Sequence, residues 1–187
     1  KDANASERAI REINTGFYLL PNKYLAAWLE QLSNDNSQGE YYLTDVVELA
    51  QRQNVAIDYV LAPHHYEVLG VNNKLQLEQL ERFYQIIQAN KLLEAGVTLF
   101  DKQRIDIRGS LSAGSDCSID VNCIFEGVVE LGNNVQIGAV CHLKNVTIAN
   151  NVTIKAYSLL DDSVVADGAQ IGPFARLRPG SSLAENS

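Results

Sequence analysis

Between Ile119 and Leu183 an apolar residue returns at nearly every sixth position, a period that neither a helix nor an isolated strand produces. Ile119, Phe125, Leu131, Ile137 and Leu143 keep the six-residue step; a five-residue step leads to Ile148, and the beat resumes at Ile154 and Leu160. A second five-residue step reaches Val165, followed by Ile171, Leu177 and Leu183. Four places after many of these stands a small or apolar residue, such as Cys123, Val135, Val152 or Ala169. Between them come "GNN" (132–134) and "ANN" (149–151), residue types that take up a left-handed backbone at a sharp corner at little cost. Each six-residue unit therefore reads as one short strand and one corner, with three units closing a triangular coil. The recurring apolar side chains point into the prism that stacked coils enclose, and the expected fold of this half is a parallel β-helix.

The pattern resembles the hexapeptide motif of left-handed parallel β-helices, [LIV]-[GAED]-x-x-[STAV]-x. A repeat array ends in an atypical capping unit. This chain stops at Ser187 in mid-repeat and opens on Lys1 with no methionine anywhere, so it is expected to be a piece of a longer protein. All three cysteines, Cys117, Cys123 and Cys141, fall inside the repeat. No CxxC pair or nearby second histidine completes a zinc set, so they read as buried packing. Their odd number and the lack of a signal peptide point to a reducing, cytoplasmic setting.

Ahead of the repeat the pattern is mixed α/β. "INTGFYLL" (13–20) and "VAIDYVLA" (55–62) carry β-branched and aromatic residues and read as strands. Pro21 opens a helix with Leu25, Trp28, Leu29 and Leu32 on one stripe, and "YYLTDVVELAQRQ" supplies another, with Thr44 or Asp45 as candidate N-cap. Two strands are too few for a self-sufficient sheet, so the remaining strands are expected upstream. "NNKLQLEQLERFYQIIQANKLLEAG" (72–96) is the clearest helix, with Leu80, Phe83, Tyr84 and Ile87 on one face and Gly96 suited to its C-terminal cap. Its length suits an arm between two domains. The expected division is 1–71, a linking helix 72–96, and a β-helix 97–187.

The net charge of −8 and the absence of a Lys/Arg cluster exclude a nucleic-acid-binding surface. No apolar run approaches the roughly 18 residues of a membrane span. A phosphate-bearing ligand must then be held by individual residues or by a metal.

Three short stretches could do this. "EINTG" (12–16) sets an amide, a hydroxyl and a glycine at a strand's interruption; Asn14 could meet a sugar hydroxyl or acetamido group, or it could simply close an Asx turn. "GVNN" (70–73) stands where a strand passes to a helix; an amide oxygen there could join a carboxylate around Mg²⁺, or Asn72 or Asn73 could cap the helix. In "ARLRPG" (175–180), Arg178 offers a guanidinium fork that fits a phosphate, or it could be a solvated corner residue; Arg176 reads as structural.

Taken in order, "EINTG", "NDNSQGEYYLTD", "GVNNKLQL" and "IGPFARLRPG" resemble the bifunctional N-acetylglucosamine-1-phosphate uridyltransferase/glucosamine-1-phosphate acetyltransferases of bacteria. The resemblance covers essentially the whole chain, as the middle of a protein more than twice as long. It implies the C-terminal part of a Rossmann-like nucleotidyltransferase domain, a long linking helix, and the first coils of a left-handed β-helical acetyltransferase that forms a homotrimer. Acetyl-CoA would acetylate glucosamine-1-phosphate, and the product would react with UTP to give UDP-N-acetylglucosamine, with Mg²⁺ as cofactor. By the same resemblance Asn14 binds the N-acetylglucosamine moiety and Asn72 helps coordinate Mg²⁺ beside the nucleotide. Tyr42 and Thr44 lie near the sugar pocket, and Arg178 grips the sugar phosphate of the acetyltransferase site.

The family's glycine-rich nucleotide loop is expected before Lys1, and its histidine base and acetyl-CoA surface beyond Ser187. No catalytic residue is therefore expected here. His64 and His65 sit at the end of an expected strand, and His142 is a β-helix position outside the "ARLRPG" region. The chain alone is expected to be inactive. Two alternatives remain: another sugar-1-phosphate nucleotidyltransferase with a β-helical tail, such as an ADP-glucose type, or a module that only trimerises an attached domain.

Overall fold

A computed structural model describes residues 9–187, so the first eight residues of the segment expected as 1–71 lie outside the described residues. The chain separates into two compact units, with the division after Gly70.

The second unit contains the expected β-helix. Its long strands are β2 (Ile105–Ala113), β4 (Cys123–Leu131), β6 (His142–Ile148) and β8 (Leu159–Val165). Between them come the two-residue strands β1 (Thr98–Leu99), β3 (Ser118–Ile119), β5 (Gln136–Ile137), β7 (Thr153–Ile154) and β9 (Gln170–Ile171), and β10 (Arg176–Leu177) and β11 (Ser182–Leu183) close the sequence. Every pairing is parallel, in one five-stranded and one six-stranded sheet.

The apolar residues of the repeat stack in inward rows. Ile107, Phe125, Leu143, Leu160 and Leu177 form one such row. Ile119, Ile137, Ile154 and Ile171 form another. Apart from the half-buried Leu177 at the last coil, all of these are at most 4% exposed. Full burial of such side chains contributes about 1.5–3 kcal/mol each, which is why the period holds so strictly. The three cysteines lie free in this core, as packing residues.

The two five-residue steps have a structural cause. At one corner β4 carries Gly127 and Val128, where the next coils carry a single left-handed residue, Asn145 (φ 49°) and Asp162 (φ 40°). The register between β4 and β6 shifts at this point. Only glycine fits position 127: its φ is 69°, and a Cβ would sit 2.0 Å from Asn145 Oδ1. Another corner is tied by amides. Asn133 N–H donates to Asn150 Oδ1 at 2.8 Å and Asn150 N–H to Asp167 Oδ1 at 2.7 Å, so the "GNN" and "ANN" stretches hold successive coils together.

Ahead of β1 lies the long helix α3 (Lys74–Glu94), preceded in the chain by two shorter helices, α1 (Asn22–Leu29) and α2 (Asp45–Arg52). The face of α3 differs from the expected one. Phe83 and Tyr84 are 42% and 48% exposed, while Gln85, Ala89 and Leu92 are buried. The reason is the first coil beneath it. Gln85 Oε1 accepts from Ile107 N–H at 2.7 Å and Gln85 Nε2 donates to the Ile107 carbonyl at 3.0 Å. A side-chain amide thus stands in for the missing neighbouring strand, satisfying backbone groups that would otherwise be buried unpaired. Arg82 reinforces the contact through Asp106 at 2.7 Å.

The first unit has no strand among its described residues, which corrects the reading of 13–20 and 55–62. Neither segment finds a pairing partner there, and β-propensity without a partner leaves backbone groups unpaired. Ile13, Leu19, Tyr59 and Val60 are each at least 80% exposed. The core of this unit is small: Trp28, Val46 and Ala50, packed with Leu20, Tyr24, Leu32, Leu49 and Val55. Leu29, placed on the inner stripe from sequence, is 45% exposed; Tyr24 takes its place, stacking on Trp28 at 5.1 Å. His64 and His65 stand at a short 3-10 turn, His65–Val68, against the ring of Tyr66.

Candidate functional site

The first unit gathers three of the residues singled out from sequence. Asn14, Tyr42 and Thr44 line one open depression, together with Gly16, Tyr18 and Tyr41. The Asx turn is present: Asn14 Oδ1 accepts from Gly16 N–H at 2.8 Å, and Gly16 has φ 80°. Asn14 Nδ2 donates to the Tyr18 hydroxyl. These two bonds orient the amide without exhausting it, since a carboxamide has two donors and two lone pairs. Thr44 occupies the N-cap position of α2 but makes no side-chain capping bond, so its hydroxyl is not consumed by the helix.

Asn72 and Asn73 divide the two roles considered for them. Asn73 is the cap of α3, its side chain accepting from Gln76 N–H at 2.9 Å. Gln76 Oε1 reaches back to the backbone N–H of Asn72 at 2.7 Å, a near relative of the capping box. The Asn72 side chain takes no part in the cap and is exposed. Its amide oxygen is the hard donor that Mg²⁺ prefers, so the residue fits one coordination position. Among the described residues no group of three or more His, Cys, Asp or Glu could hold a metal ion, so a complete ligand set is not present.

Arg178 lies on the β-helix, in a groove lined also by His142, Lys144, Asp161 and Arg176. This corrects the placing of His142 outside the "ARLRPG" region. Residues 142, 159 and 176 occupy equivalent places on successive coils, so a distance in sequence vanishes across the face. Lys144 pairs with Glu126 at 2.9 Å, and His142 Nε2 lies 3.4 Å from the same carboxylate. The hydrogen bond and charge of Lys144 hold Glu126 below its ordinary acidity range, and Lys144 is raised in return. Asp161 Oδ1 is buried in the groove without a hydrogen-bond partner. Sequence reasoning missed Lys144, Asp161 and His142 as groove residues; carrying the coil period outward from the apolar rows would have found them.

A family model described as the GMPPB C-terminal domain matches residues 107–187. The bifunctional protein GlmU of Chromobacterium violaceum is 57% identical over 98% of this chain and 40% of its own length. Those of Nitrosospira multiformis and Marinobacter nauticus are 51% and 50% identical, over 98% and 100% of this chain and 40% and 41% of their own. The chain thus spans about two fifths of the length of these curated relatives. A solved hexapeptide-repeat acetyltransferase from Vibrio cholerae O1 biovar eltor, complexed with acetyl coenzyme A, is 12% identical with a TM-score of 0.26, covering 60% of this chain and 85% of its own, too slight a likeness to place any residue. Matched along 98% or more of its length at 50–57% identity, the chain corresponds to a segment of the bifunctional GlmU proteins that takes in the end of the N-terminal domain and the start of the β-helix.

Proposed function

We propose that this chain serves in the synthesis of UDP-N-acetylglucosamine, as part of an enzyme that acetylates glucosamine-1-phosphate from acetyl-CoA and then joins the product to UTP. The observation that carries the reading is the match to bifunctional GlmU proteins at 50% identity or more along nearly the whole chain, across both units. The family model covers the β-helix alone, whereas these relatives extend through the first unit, which favours this reading over a different nucleotidyltransferase sharing only the tail. The division of labour follows the units: residues 1–71 contribute to uridylyl transfer, 72–96 link, and 97–187 begin the acetyltransferase.

In the first unit, Asn14 presents its remaining donor and lone pair to the N-acetylglucosamine moiety, with Tyr42 and Thr44 beside it on the same depression. Asn72 lends its amide oxygen to Mg²⁺, whose charge offsets that of the nucleotide phosphates. Uridylyl transfer depends mainly on such positioning and charge neutralisation. On the β-helix, Arg178 holds the phosphate of the sugar as a bidentate, charge-assisted contact. Assembly as a homotrimer in the cytoplasm completes the proposal. No described helix is long and apolar enough to cross a membrane.

The test is a pair of substitutions in the full-length enzyme. Asn14→Ala is expected to raise KM for N-acetylglucosamine-1-phosphate in uridylyl transfer and leave acetyl transfer alone; Arg178→Ala is expected to do the reverse for glucosamine-1-phosphate. Unchanged acetyl transfer in Arg178→Ala would reduce the β-helix to a scaffold. The 187-residue chain alone is expected to catalyse neither reaction.

A further inference from the structure

Arg176 and Arg178 flank Leu177, whose side chain packs against the β-helix core, so the alternation of an extended segment sends both guanidinium groups outward together. Both residues are exposed, and neither takes part in an ion pair found among the described residues. The ion pairs on this face are Lys144 with Glu126, with His142 near the same carboxylate, and Arg108 with Asp106, and none of them involves Arg176 or Arg178. Arg108 lies beside Glu126, Glu126 beside Lys144, and Lys144 beside Asp161, a row of alternating sign from coil to coil. Arg178 follows Leu177 as Asp161 follows Leu160, and so prolongs that row.

Arg176 belongs to no such row. Its partner on the adjacent coil is Leu159, itself 47% exposed, and one coil further stands His142. A guanidinium set over an apolar neighbour and next to a second guanidinium gains no stabilisation from the fold, and two like charges at this spacing repel. Arg176, read from the sequence as structural, makes no ion pair among the described residues, and neither does Arg178. Both line the same groove with Lys144 behind them.

We propose that Arg176 is a second phosphate-holding residue, acting with Arg178 to clamp the phosphate monoester of a sugar-1-phosphate in this groove. The proposal rests on the reading of Arg178 given under the proposed function. A phosphate monoester carries about −1.5 to −2 charges near neutral pH and presents three acceptor oxygens, so one guanidinium fork cannot saturate it and two on one strand can. The anion in turn removes the repulsion between the two arginines.

The experiment titrates the 187-residue chain with glucosamine-1-phosphate, inorganic phosphate and glucosamine, following binding by calorimetry in wild type, Arg176→Ala and Arg178→Ala. Each substitution is expected to weaken both phosphate-bearing probes about ten- to hundredfold, the loss of a charge-assisted contact, with the thermal midpoint unmoved because both side chains are exposed. Phosphate-free glucosamine is expected to respond to neither. Wild-type affinity in Arg176→Ala beside a loss in Arg178→Ala would overturn the clamp and leave the reading of Arg178 standing. Wild-type affinity in both variants, or no binding of either phosphate probe by the wild-type chain, would overturn the clamp and that reading together.

Discussion

The two units solve the backbone hydrogen-bonding problem differently. In the β-helix each coil supplies the strand its neighbour needs, and α3 closes the first coil with the Gln85 amide. In the first unit the segments 13–20 and 55–62 have strand-forming sequences but no partner among the described residues, and only two short helices pack, around Trp28. Regularity in sequence translates into structure when the partner of each element is the adjacent repeat. Where pairing depends on a distant segment, propensity alone leaves an extended, exposed chain.

The comparison breaks most sharply at Trp28, which is 1% exposed in the smaller core. Trp28→Ala is expected to cost about 3–5 kcal/mol, more than a core of this size can lose, and to melt the first unit while the β-sheet circular dichroism of the second persists. A single joint transition in that variant would show that the units do not unfold independently. Leu143→Ala, at a position 0% exposed, is expected to cost the β-helix about 2–5 kcal/mol and to lower its denaturant midpoint without changing that of the first unit. Gln85→Leu keeps the bulk but leaves the N–H and carbonyl of Ile107 unpaired, an expected loss of about 1–3 kcal/mol read as faster amide exchange at the first coil. Asn73→Ala removes the cap of α3 for about 1 kcal/mol, visible in helical ellipticity.

The smallest expected effect is acid sensitivity. Burial pushes the Asp106 carboxyl up, but hydrogen bonds from Arg82 and Arg108 outweigh it and hold the group below its ordinary 3.8. A depressed carboxylate contributes stability that is present above its unfolded-state value and lost as pH falls through the folded-state value. The contact of α3 with β2 should therefore loosen only in that acid window. Arg82→Ala should remove much of this dependence, and an identical acid transition in that variant would rule the pair out as its cause.

How far the sequence could be read follows from the same contrast. The inward rows, both five-residue steps and the buried cysteines were legible, because a coil of fixed period dictates its own contacts. The depression shared by Asn14, Tyr42 and Thr44 was approachable only through motif resemblance, since 28 residues separate Asn14 from Tyr42 and no period relates them. The inner face of α3 was misread because Gln85, a polar residue, is buried by the backbone it satisfies, and apolar periodicity cannot register that. His142 was placed apart from Arg176 and Arg178 because they lie 34 or more residues away along the chain, whereas the coil register sets residues 142, 159 and 176 in equivalent places on one face.

Residue-resolved amide hydrogen exchange on the whole chain tests the central contrast most directly. The account predicts slow exchange through the paired positions from Ile105 to Ile171, with Ile107 protected by Gln85, and exchange near the unstructured rate across most of 13–19 and 56–62, the stretches beyond the packed Leu20 and Val55. Protection of those two segments at the level of the β-helix strands would contradict it.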